Sequence, residues 1–112
     1  MNQAEKTVDE IFKELSITTS TCRINFAGRN YVKVYWAILQ TIESPETSFD
    51  LQIGFAKSID HNVIWVLREN LDPAIGFNSY EEVITFLEEQ TYFSFELKDE
   101  IENLAVRVSN AI

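Results

Sequence analysis

The stretch "RNYVKVYWAILQTI", residues 29–42, decides how this chain folds. Its β-branched and aromatic residues favour an extended strand, and strict alternation divides that strand into two faces. Val32, Val34, Trp36, Ile38 and Ile42 point one way and read as core. Tyr31, Lys33, Tyr35, Ala37, Leu39 and Thr41 point the other way. This second face reads as the open side of a sheet, wet at its Tyr31 end and covered by a helix near Leu39. Tyrosine suits such a surface, because it combines a large apolar area with a polar tip at small rotamer cost.

Upstream, "TCRINF" alternates Cys22, Ile24 and Phe26 with Thr21, Arg23 and Asn25, a half-buried strand. The tetrapeptide "AGRN" supplies the glycine and asparagine of a tight turn, so residues 29–42 form the second arm of a hairpin. Arg23 then lies beside Tyr31, Lys33 and Tyr35, and these four are the candidate binding residues. Downstream, Phe49, Leu51, Ile53 and Phe55 alternate with polar residues as a third strand. A fourth, "NVIWVLRE", is apolar on both faces, as a central or covered strand would be.

Helical periodicity frames these strands. "NQAEKTVDEIFKELS" places Val8, Ile11, Phe12 and Leu15 on one stripe, with Asn2 as a cap. After "NLDPAIGF", read as a connection, Asn78 and Ser79 precede Glu81 and Glu82 at capping-box spacing, and Tyr80, Val83, Ile84 and Leu87 make a stripe. Ser94 caps a last helix whose stripe is Ile101, Leu104, Ala105, Val108 and Ile112. The order α-β-β-β-β-α-α specifies one α+β domain over residues 1–112. It is an antiparallel four-stranded sheet with an N-terminal helix and two C-terminal helices.

Composition narrows the function. A chain of 112 residues with 46% hydrophobic content builds an ordinary core without disulfides or metal. The single Cys22 excludes an internal disulfide and suggests a reducing compartment. The opening "MNQAEKTVDEIF" lacks the basic and apolar regions of a secretory signal, and no apolar run approaches the ~20 residues of a membrane span. The expectation is a cytoplasmic protein with no membrane association.

The net charge of −9 is uneven: residues 16–42 carry Arg23, Arg29 and Lys33 and no acid, whereas from residue 71 onward nine acids face Lys98 and Arg107. A duplex-binding surface should be basic, so nucleic acid is disfavoured as a partner. The RNA-recognition strand pattern also fails around Gly28, where Ala27, Arg29, Asn30 and Val34 occupy positions that want other residues.

No catalytic or cofactor signature emerges. Gly28, Gly54 and Gly76 are isolated, so no phosphate cradle is spelled out. One His and one Cys do not furnish a metal site rich in nitrogen and sulfur. A Cys22–His61 dyad oriented by Asp60 would need long-range proximity that the sequence does not require. Glu96 and Glu100 stand at i, i+4, but no loop adds the oxygens a calcium ion wants.

The reading is therefore a non-enzymatic, cofactor-free protein-interaction module that binds a protein partner or a second copy of itself. The alternative is an acidic inhibitor, immunity or secretion-chaperone-like protein that engages a basic partner through its C-terminal helices. A third class, a small-ligand or enzyme domain, requires a pocket near Trp36 or Trp65.

Overall fold

The computed structural model describes residues 7–43, 45–46, 48–60, 62–70 and 72–111, with the side chains of Cys22 and Ala111 outside that description. Helix α1 (Val8–Leu15) leads into five strands: β1 (Thr18–Phe26), β2 (Arg29–Glu43), β3 (Ser48–Ser58), β4 (Val63–Glu69) and β5 (Ile75–Phe77). Helices α2 (Tyr80–Glu88) and α3 (Phe95–Ala111) follow. The sheet is an antiparallel meander in the order β1-β2-β3-β4-β5.

The α+β class, the antiparallel sheet and the terminal helices are as the sequence implies, but the described residues form five strands rather than four. The added strand, β5, lies in the segment read as a connection. Its three residues follow Pro73 and are too few to show a period.

Local chemistry accounts for the ends of these elements. Ala27 and Gly28 both have positive φ, 53° and 77°, as a two-residue hairpin turn matched to strand twist demands. Helix α1 starts at Thr7, whose hydroxyl accepts from the Glu10 amide at 3.2 Å. The cap expected at Asn2 lies outside the described residues. Ser79 and Ser94 cap α2 and α3, accepting from the amides of Glu82 at 3.3 Å and Leu97 at 3.1 Å. Glu82 also accepts from the Asn78 amide at 2.8 Å, one residue ahead of the cap, a variant of the capping box. Ile112, expected on the last stripe, also lies outside the described residues.

Two cores form, one on each face of the sheet. All three helices cover the first, where Ile11, Phe12, Val83, Leu87, Leu97 and Ile101 meet Tyr35, Ile53, Phe55 and Leu67. Aromatic rings tie this layer together. Phe12 stacks on Phe55 with centroids 4.6 Å apart, and Phe55 meets the edge of Trp65 at 4.5 Å.

The second core holds Ile24, Tyr31, Val34, Trp36, Ala56, Ile64 and Val66, with Phe26 and Ala74 packed against it. Among the described residues no helix packs against it; the sheet itself encloses it. β1 and β5, at opposite ends of the strand order, touch, and the Phe26 ring sits where a Cβ on Gly76 would lie 2.7 Å away. Small residues permit the curl: the register aligns Trp36, Gly54, Val66 and Gly76 in one row across the sheet.

The register of β2 shifts twice, between Tyr31 and Lys33 and between Trp36 and Ile38. Each irregularity adds a residue, breaks the alternation and sharpens the local twist. The two-face division of residues 29–42 is corrected accordingly. Val34 and Trp36 enter the enclosed core, while Ile38 and Tyr35 enter the helix-covered one. Most apolar strand residues are thus buried on one face or the other, while Leu39, Val63 and Ile75 stay exposed.

Candidate functional site

The four residues expected to form a binding face do not share one surface. Tyr31 is 3% exposed within the enclosed core, and Tyr35 is 1% exposed within the helix-covered core. The register shift between Tyr31 and Lys33 sends these two tyrosines to opposite sides of the sheet. Lys33 is exposed, with its ammonium 5.4 Å from the centre of the Tyr35 ring. Arg23 is exposed within the irregular segment of β1 between Thr21 and Ile24.

Tyr35 has a structural partner. Its hydroxyl donates to Asp9 Oδ1, and Lys57 Nζ approaches Asp9 Oδ2 at 3.4 Å. This pins the first turn of α1 to β2 and β3. The Tyr35 hydroxyl, followed by the positive charges of Lys57 and Lys33, holds the Asp9 carboxyl below its ordinary range. Burial, reinforced by the Asp9 carboxylate, pushes the Tyr35 phenol up.

The other perturbed groups are equally local. Ser58 and Asn62 lower Asp60 to about 2, with help from Arg29, whose Nε lies 3.2 Å from Asp60 Oδ2. Burial, with the Glu69 carboxylate nearby, raises Tyr92, whose buried hydroxyl makes no hydrogen bond of ordinary geometry. Of the Cys22–His61–Asp60 arrangement only Asp60 is described in full, and its carboxylate is taken up by the β3–β4 turn. Among the described residues no three His, Cys, Asp or Glu side chains are placed to hold a metal ion. None of the described helices is long and apolar enough to cross a membrane.

The surface that stands apart is the outer side of α3. Leu97, Ile101 and Leu104 face the core, as the helical period requires. On the opposite side Phe95, Asp99, Glu102 and Val106 follow at i, i+4, i+7 and i+11, and all four are exposed. Phe95 is 76% exposed and Val106 58%, so an acidic pair sits between two apolar positions. Phe93 supports the Phe95 ring edge-on at 5.8 Å.

Beside this stripe, α2 contributes the exposed Glu81, Glu82, Glu88 and Glu89. A 390 Å³ groove between the two helices is lined by Tyr80, Glu102, Ala105, Val106, Ser109 and Asn110. The ion pairs formed among the described residues, Arg29–Asp60 and Lys57–Asp9, leave the carboxylates of both helices without a cationic partner. Sequence reasoning grouped these acids on the C-terminal helices but did not single out Phe95. Its exposure was legible only from its offset against Leu97 and Ile101.

Comparison with protein-family models, curated proteins and solved structures finds no match to this chain.

Proposed function

We propose that this protein is a small acidic interaction module, without catalysis of its own, that docks a basic protein partner on the outer face of α3 and the acidic edge of α2. The observation that carries this reading is the exposed stripe Phe95-Asp99-Glu102-Val106. A phenylalanine side chain kept in water forgoes roughly 1.5–3 kcal/mol that burial would return. Such a ring, flanked by a second apolar residue, suits an interface anchor. The unpaired carboxylates around it steer a cationic surface and fix its register more than they add affinity. A cytoplasmic setting accords with the single cysteine and is part of the same proposal.

The test is affinity capture from source lysate with wild type and two folded double variants, Phe95→Ser/Val106→Ser and Asp99→Asn/Glu102→Gln. Captures are run at roughly 0.05 M and 0.5 M salt, on either side of strong screening. The reading expects a basic protein that is retained by wild type at low salt, weakened by both variants and released by salt. A partner held equally by both variants, or one that is itself acidic, overturns it.

A further inference from the structure

The open end of the curled sheet holds a cavity of about 420 Å³ on the face away from the helices, remote from the α2–α3 surface. Arg23, Asn25, Arg68 and Asp72 line it, over an apolar floor that includes Ile24 and Pro73. Two cations of this acidic chain pair with acids, Arg29 with Asp60 and Lys57 with Asp9. Arg23 and Arg68 have no carboxylate partner among the described residues, yet they border the same cavity.

Arg68 is prepared rather than loose. Its guanidinium lies 5.0 Å from the centre of the Trp36 ring, over a residue buried in the enclosed core. Gln52, its cross-strand neighbour, accepts from Nε at 3.1 Å and from Nη2 at 2.7 Å. A guanidinium has five N–H donors, so this leaves the edge formed by Nη1 and the second Nη2 hydrogen, the geometry that grips a carboxylate in two places. A glutamate at position 52 would hold the fork equally well but cancel its charge. The neutral amide orients the guanidinium and leaves its charge unspent.

Asp72 sets the rest of the specificity. Its exposed carboxylate makes no side-chain hydrogen bond or ion pair among the described residues, and it would repel a phosphate or a dicarboxylate brought to Arg68. It would attract an ammonium carried beside a single carboxylate. We propose that this cavity binds a small zwitterion of the α-amino-acid type. The ligand carboxylate sits on Arg68 with Arg23 beside it, the ammonium sits on Asp72, and the apolar side chain lies over Ile24 and Pro73. The volume matches a ligand of that size with solvent at its open side.

Isothermal titration calorimetry of the whole chain tests this, with three sets of probes: the common L-amino acids one at a time, propionate and butyrate as carboxylates without the ammonium, and inorganic phosphate. The expected result is saturable binding of at least one apolar amino acid at millimolar or better affinity, with the plain carboxylates weaker by about tenfold or more. Arg68→Gln abolishes that binding. Asp72→Asn weakens the amino acid but leaves the carboxylates unchanged. Thermal melts of both variants, together with Arg68→Lys, which keeps the charge and loses the fork, separate loss of the site from loss of the fold.

No saturable amino-acid binding up to about 10 mM, phosphate binding tighter than any amino acid, or binding that survives Arg68→Gln each overturns the proposal.

Discussion

Gly54→Ala is the substitution to which this fold is most sensitive for its size. Gly54 sits opposite Trp36 in the β2–β3 ladder, beside the second irregularity of β2. A Cβ there would lie 1.9 Å from the Tyr35 carbonyl oxygen and 2.8 Å from the Trp36 Cα, both backbone atoms. Ordinary contact begins at 3.4 Å, so β3 must withdraw by about 1.5 Å. No rotamer change can absorb that.

The withdrawal loosens both cores at once, because Tyr35 and Trp36 are buried on opposite faces at this point. Overpacking of this kind costs about 1–3 kcal/mol, with ladder hydrogen bonds lost in addition. The lower unfolded-state entropy of alanine returns at most ~1 kcal/mol. The net expectation is a loss of about 3 kcal/mol, or roughly 12 °C in melting temperature for a domain of this length.

Gly76→Ala is the control, since its new methyl meets side-chain atoms, Phe26 Cδ1 at 2.7 Å and Ile64 Cδ1 at 2.9 Å. Those groups can give way, and the cost should stay near ~1 kcal/mol. Urea denaturation followed by circular dichroism, with thermal melts alongside, measures both variants. If Gly54→Ala costs under ~1 kcal/mol, or less than Gly76→Ala, the close approach of β2 and β3 that organises the two cores is refuted.

Three further predictions concern packing and charge. The Asp9 carboxyl is held below its ordinary value of 3.8, so its contribution is present above that value and disappears as pH falls through the lower folded value. Denaturation of wild type and Asp9→Asn from pH 7 to pH 2.5 should show a constant gap at neutral pH that closes below 3.8; a gap that widens in acid contradicts the Tyr35–Asp9 contact. Tyr31→Ala should cost ~3 kcal/mol in urea melts because its ring is core, whereas the exposed Phe95→Ala should change stability by less than ~0.5 kcal/mol. Ser79→Ala and Ser94→Ala should each lower stability by about 1 kcal/mol by orphaning the amides of Glu82 and Leu97, which far-ultraviolet melts would register.

Local periodicity carried most of the fold. The stripe of Ile11 and Phe12, the Ser79 cap on the Glu82 amide, and the two-sided apolar run of β4 were all legible in the sequence. Register was not. The irregularities near Tyr31 and after Trp36 arise from pairing with β3, and one extra residue reverses every side chain beyond it. A Tyr31–Lys33–Tyr35 surface was therefore assigned to residues that are divided between two interiors and the solvent. Gly54 was the available clue, since a glycine within a strand often marks a bulge or a close backbone approach.

The β5 strand escaped notice because three residues after a proline carry no pattern. The Arg68–Gln52–Trp36 grouping escaped for a related reason. Its members come from three strands and meet only once the ladder is known. The acidic character of α2 and α3 was plain in the sequence, while the exposure of Phe95 required the phase of α3 against its core stripe.

Amide chemical-shift mapping on isotopically labelled protein, titrated with the basic partner recovered by capture, tests the docking assignment most directly. The account predicts perturbations concentrated in residues 80–89 and 95–110 that fade as salt is raised. Perturbations gathered instead on the outer edge of β1 or around Arg23 and Arg68, with α3 silent, would contradict it.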